Sequence, residues 1–191
     1  MVSASSSQTL ARGPSPPPRE MTTYKPWLLA TDIDGTLWDT LDISLVAPPY
    51  FADGKGRLRS ADGTVVRLIP EAIDFVRWCR KNGAKVSSLS WNIPERVFPA
   101  IEVLGISDLF DFHATEYTDA KHERLFDLLR ELRRHGVTIP PERVAYVDDR
   151  DIHIESIRKR VGNVVWIHIW KEVPDYDAAK RVVRKKILEG S

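Results

Sequence analysis

The stretch Trp27-Leu-Leu-Ala-Thr-Asp32-Ile-Asp34-Gly-Thr36-Leu-Trp38 narrows the folds open to this chain more than any other. A short apolar run ends abruptly in two carboxylates one residue apart. A run of that length reads as a buried strand over about 27–32, and Asp34-Gly35 breaks it. Two anions at the end of a buried strand are costly unless a cation binds them. A hard dication such as Mg²⁺ answers that cost, because it takes oxygen ligands and keeps waters and phosphate oxygens in its shell. The segment therefore points to metal-assisted phosphate chemistry.

Downstream, strand and helix patterns alternate. Residues 39–55 read as irregular, with Pro48-Pro49 and Asp53-Gly54. A hairpin follows, Arg57–Ser60 and then 64–69, turning at Ala61-Asp62-Gly63. Pro70 and Glu71 open a helix that stops at Asn82-Gly83. Further strands are expected at 84–90, near 110–112, at 143–147 and at 164–168. Helices are expected at 94–104, 119–135, 151–160 and 175–188, the third-strand helix carrying Phe126, Leu129 and Leu132 on one face. Such alternation predicts an α/β fold with a parallel sheet. Ligands bind outside the carboxyl ends of such strands. Asp32 and Asp34 fall there after the first strand, Ser90 after the second, and Asp148 and Asp149 after the fourth.

Composition excludes several classes. The chain has 191 residues, a net charge of +1 and one cysteine. No disulfide within the chain and no cysteine-rich zinc site is open to it, and Cys79 sits in a helical pattern as a packing residue. The charge favours neither nucleic acid nor an acidic membrane surface, and no apolar run approaches the ~18 residues of a membrane span. Without an apolar signal core, the cytoplasm is the default location. Residues 1–23 form a Ser/Pro-rich tail expected to be disordered, with Met21 an alternative start, and a folded domain is expected over 24–190. His113, His122, His135 and His168 share no metal-ligand spacing. The basic run from Lys180 to Lys186 reads as a solvated face opposite Val182, Val183 and Ile187.

Phosphoryl transfer needs a nucleophile, a charge neutraliser and donors for the equatorial oxygens. Asp32, fixed by the sheet, is the better nucleophile candidate. Asp34 suits proton transfer to the leaving oxygen and from the attacking water, and its backbone carbonyl is a candidate metal donor. Ser90 is a hydroxyl donor, and Lys121 adds a cation near a helix N-terminus. Of Asp148 and Asp149, one is expected to ligate the metal and the other to orient Lys121 or a metal-bound water, with Asp149 favoured as the ligand.

In this order the motifs resemble those of the haloacid dehalogenase (HAD) superfamily of aspartate-nucleophile phosphohydrolases. Thr36-Leu37-Trp38, the hairpin end Arg67-Leu-Ile-Pro70-Glu71 and Val147-Asp148-Asp149 look more closely like its small magnesium-dependent phosphatase branch. The resemblance implies a Rossmann-like sheet of order 5-4-1-2-3, with 39–69 as a small cap. It implies catalysis by Asp32, Asp34 and Lys121, and Mg²⁺ held by Asp32, Asp34, Asp148 and Asp149. Its substrate-facing positions are Ile33, Thr36, Ser90, Trp91 and Asn92. An open site under a small cap implies a phosphorylated small molecule, phosphoprotein or sugar-modified substrate. The chain departs from the branch at Ser90-Trp91-Asn92, where Ser-Arg-Thr is usual, and at His153, where Asn is frequent.

Other functions remain open at this point. A phosphotransferase on the same fold would pass the phosphoryl group to an organic acceptor. A non-catalytic domain would keep the fold without turnover. Trp38 reads as packing, with Trp91 beside the mouth.

Overall fold

Strand β1 (Trp27–Thr31) is buried along its whole length, which places it at the centre of the molecule. The structure, a computed structural model, describes residues 25–190; the expected tail over 1–23 and the start at Met21 lie outside them. Alternate side chains of β1 enter different layers. Leu29 joins one core with Val86, Ala145 and Ile167, while Leu28 and Ala30 join another with Leu89, Tyr146 and Leu125. A strand covered on both faces suits a parallel sheet with helices on each side.

The elements follow in chain order. Two short cap strands, β2 (Tyr50–Ala52) and β3 (Arg57–Ser60), precede β4 (Val65–Arg67). Helix α1 (Pro70–Lys81) leads to β5 (Ala84–Trp91), and α2 (Pro94–Val103) to β6 (Phe112–Glu116). Helix α3 (Lys121–Arg134) leads to β7 (Val144–Asp148), α4 (Ile154–Arg160) to β8 (Val165–His168), and α5 (Tyr176–Val183) closes the fold. The main sheet has the order β6-β5-β1-β7-β8, all neighbours parallel. This is the expected 5-4-1-2-3 order, read from the other edge.

Differences from expectation are local. The cap is a three-stranded antiparallel sheet, β2-β3-β4, because Tyr50–Ala52 pairs with β3 where irregular chain was expected. Strand β6 starts two residues late: Asp111 lies outside it, its carboxylate accepting from Val86 N–H (2.8 Å) and Arg80 Nη1–H (3.1 Å). Helix α4 begins at Ile154, so Arg150 and His153 belong to the preceding loop. Helix α5 passes into a wider π turn over Arg184–Leu188. Phe126 is half-buried beneath the Arg160 guanidinium, 3.6 Å from its ring centre, and the buried face of α3 is carried by Leu125 and Leu132. Val183 and Ile187 are buried as expected, and Cys79 is a core residue.

At the amino ends of the strands, Arg143 donates to the carbonyls of Lys25 (2.5 Å), Pro26 (3.1 Å) and Ile187 (3.1 Å). Among the described residues, no helix is long and apolar enough to cross a membrane.

Candidate active site

The carboxyl ends of β1 and β7, adjacent in the sheet, bring three carboxylates together. Oxygens of Asp32, Asp148 and Asp149 lie within 4.8 Å of one another. Lys121, the first residue of α3, reaches into this group with no exposed surface. Its Nζ donates to Asp32 Oδ1 (2.7 Å) and Asp148 Oδ2 (2.6 Å). An ammonium at a helix N-terminus opposes the helix dipole; two buried carboxylates at bonding distance outweigh it. Three carboxylates and one ammonium leave a charge of −2, which one dication cancels.

Asp148 and Asp149 are unlike. Asp148 Oδ2 also accepts from the Tyr146 hydroxyl, and its Oδ1 accepts from Arg150 N–H at 3.0 Å. Burial raises its pKa, but Lys121, Tyr146 and Arg150 N–H together hold it below the ordinary carboxylate range. Asp149 Oδ1 and Asp32 Oδ2 are buried without a partner among the described residues. Burial, then the Asp148 charge, raises the Asp149 pKa. Burial raises Asp32 as well; Lys121 opposes the rise, while Asp148 and Asp34 add to it. Two such buried oxygens within one three-carboxylate cluster suit a hard cation with oxygen ligands. The donor set holds no sulfur or imidazole, so it fits Mg²⁺ better than a softer transition metal.

Asp34 points elsewhere. Its Oδ1 accepts from Trp38 Nε1–H (2.7 Å) and Ile43 N–H (3.1 Å), and its Oδ2 accepts from Asn92 Nδ2–H (2.5 Å). The amide orientation of Asn92 is fixed because its Oδ1 accepts from Ile93 N–H (2.7 Å). Burial raises the Asp34 pKa against these three bonds. Its carboxylate is not part of the three-carboxylate cluster, and the donor expected from Asp34 is its backbone carbonyl. Asn92 is likewise occupied, bonding Asp34 and also Asp42 Oδ1 at 3.1 Å.

The remaining expected positions divide. The hydroxyls of Ser90 and Thr36 are buried and have no partner among the described residues. The Ile33 side chain is core, and its carbonyl accepts from Thr36 and Leu37 N–H, starting the turn that follows β1. Trp38 is fully buried and serves Asp34, whereas Trp91 is 37% exposed and lies edge-on to His153, 5.9 Å between ring centres. A cavity of about 170 Å³ is lined by Asp34, Leu41, Asp42, Trp91, Asn92, Tyr117 and Arg150. A larger one, about 500 Å³ and lined by Lys55, Ile73 and Leu104, contains none of the candidate residues.

Gly35 lets the turn after β1 come close to Asp149. It has φ +62°, and a Cβ there would meet Asp149 Oδ2 at 2.7 Å. Gly35→Ala is expected to cost about 1–2 kcal/mol from the left-handed backbone alone. The displaced Asp149 should also weaken Mg²⁺ binding by about tenfold or more, readable as a smaller Mg²⁺-induced rise in Tm. An unchanged Mg²⁺ response in a destabilised variant would show that Asp149 is not a ligand.

Three contributors escaped the sequence reading. Tyr146, two residues before Asp148 on β7, shares its face. Arg124, one turn after Lys121, is buried and donates to Thr118 O (2.9 Å) and Ser90 O (3.2 Å), tying the end of β5 to the entry of α3. The i, i+3 spacing from Lys121 is its only signal. Asp42 buttresses Asn92 from a loop that carries no pattern.

No family model and no curated protein sequence matches the chain. Solved structures do. A protein of Haemophilus somnus described as a predicted phosphoglycolate phosphatase superposes with a TM-score of 0.57 at 16% identity, over 85% of this chain and 99% of that one. The HAD domain of the effector Lem4 of Legionella pneumophila gives 0.57 at 11% identity, over 85% and 96%. The N-terminal part of protein BF1531 of Bacteroides fragilis, containing a phosphatase domain complexed with Mg, gives 0.52 at 16% identity over 84% of this chain; the chain spans 39% of its length. At these identities the likeness establishes the fold: an α/β parallel sheet as in HAD-type domains.

Proposed function

We propose that this chain is a Mg²⁺-dependent phosphatase that hydrolyses phosphomonoesters through an aspartyl-phosphate on Asp32. The buried oxygens Asp32 Oδ2 and Asp149 Oδ1, without partners among the described residues and in one three-carboxylate cluster whose Asp32 is also bonded to the Lys121 ammonium, carry this reading. The Mg complex of the Bacteroides fragilis phosphatase domain is consistent with it.

Asp32 and Asp149 would hold the dication, with the Asp34 carbonyl as a further donor. Bound there, Mg²⁺ supplies Lewis-acid neutralisation of phosphoryl oxygens. Lys121 lowers the repulsion between Asp32 and the incoming phosphate, and Asp148 with Tyr146 keeps the ammonium in place. The Ser90 and Thr36 hydroxyls offer donors to phosphoryl oxygens. The Asp32 carboxylate attacks phosphorus, and the leaving oxygen takes a proton from Asp34. Asp34 then takes a proton from water as the water attacks the aspartyl-phosphate, releasing phosphate and restoring Asp32. A raised pKa suits Asp34 to both steps, and its Oδ2 keeps a lone pair free beside the Asn92 bond.

The test is phosphate release from a generic aryl phosphate. Release is expected with Mg²⁺ and abolished by EDTA. The metal should also raise Tm: at about 100 times its Kd, linkage gives about 2.7 kcal/mol. Activity unaffected by EDTA would overturn the reading.

A further inference from the structure

We propose that Arg150 recognises a second anionic group, a carboxylate or a second phosphate, on the leaving group of the phosphomonoester. This rests on the phosphatase reading above and narrows its substrate class. Arg150 follows Asp148-Asp149 directly, and its backbone N–H is pinned to Asp148 Oδ1 at 3.0 Å. Its guanidinium has no hydrogen bond or ion pair among the described residues, and it lines the 170 Å³ cavity over Asp34.

The other groups in that cavity explain what the arginine is free to do. Asp34 is occupied by Trp38, Ile43 and Asn92. Asp42 Oδ1 accepts from Ser44 N–H (2.9 Å) and Asn92 Nδ2–H (3.1 Å). Both acids are held by neutral donors, and neither has claimed the nearby guanidinium. The rest of the lining is flat or apolar: Trp91, Tyr117 (72% exposed) and Leu41 (75% exposed). An indole and a phenol ring stack on a spacer but cannot pair with an anion bidentately. The cavity therefore offers one unpaired fork-shaped cation together with flat and apolar surface. A ligand matching it carries phosphate at one end, a flat or apolar spacer, and a second anion. An apolar leaving group with no anion of its own would leave the fork unused.

Non-hydrolysable probes separate binding from turnover. Benzylphosphonate, its para-carboxylate and para-xylylene bisphosphonate are titrated calorimetrically into the full chain with Mg²⁺, and into Arg150→Gln and Arg150→Lys. The carboxylate or the bisphosphonate is expected to bind about five- to tenfold tighter than benzylphosphonate. The more strongly preferred of the two identifies the anion. Arg150→Gln should erase the ratio, Arg150→Lys should keep part of it, and higher salt should shrink it. Equal binding of the three probes, binding of none, or a ratio that survives Arg150→Gln overturns the assignment. The corresponding aryl phosphates are tested for hydrolysis separately. A binding preference lost in Arg150→Gln without hydrolysis of any of them would retain the Arg150 assignment and refute the phosphatase reading.

Discussion

Asp32→Asn should lower phosphatase turnover by at least about a thousandfold, as removal of a covalent nucleophile does, and yet leave the metal-free protein more stable. The gain in stability follows from the burial of the carboxylate. Burial, assisted by Asp148 and Asp34, pushes the Asp32 pKa up to about 8 despite Lys121. The folded protein then binds a proton that the unfolded chain releases near pH 4, so Asp32 makes stability fall as pH rises from about 4 to about 8. Asparagine carries no such proton and should flatten that slope. Mg²⁺ binds the ionised carboxylate, so its stabilisation of the wild-type protein should grow with pH through the same window. Denaturation at a series of pH values, with and without Mg²⁺, reads all three effects. A metal-free Asp32→Asn protein less stable than wild type at neutral pH would sink this account of the site as a strained, cation-seeking cluster.

Lys121→Met should have the largest effect on stability. The ammonium has no exposed surface and bonds two carboxylates that are themselves buried. Methionine nearly matches the stem but removes the charge. It leaves Asp32 and Asp148 facing each other, at a cost of about 3–5 kcal/mol. Asp148 keeps Tyr146 and Arg150 N–H, so Asp32 should stay the protonated member of the pair to a still higher pH. Mg²⁺ should recover part of the loss by supplying positive charge to the same oxygens. Turnover should still be lost in the folded, metal-loaded variant, because neutralisation beside Asp32 is gone. A loss below about 1 kcal/mol would mean that the site tolerates the bare carboxylates, contrary to the burial described above.

Much of this site is legible in the sequence because strand ends are legible. An apolar run that stops at Asp32, and another that stops at Asp148, locate acids at the carboxyl edge of a parallel sheet without any knowledge of contacts. Helix starts at Pro70 and Pro94 follow from local chemistry alone and fall where expected. What the sequence hides is partnership. Asp34 resembles Asp32 in the sequence, but its oxygens are satisfied by Trp38, Ile43 and Asn92, contacts that depend on how the 39–46 loop folds back. Strand β2 is three residues long and visible only through its pairing with β3. Thr115 lies in β6, its hydroxyl 3.0 Å from that of Ser88, a contact across strands that no local pattern announces. Asp111 mimics a strand neighbour with its side chain and so shifts the apparent start of β6.

Arg143 adds a practical consequence. By binding the carbonyls of Lys25, Pro26 and Ile187, it gathers the first and last parts of the described chain at the amino ends of the strands. The carboxylates sit at the other edge of the sheet. A tag or fused domain joined directly at Lys25 or Gly190 would start from the edge opposite the mouth. A short peptide joining Gly190 to Lys25, with new termini opened in the Ala61-Asp62-Gly63 turn, should give a circularly permuted domain with its site undisturbed.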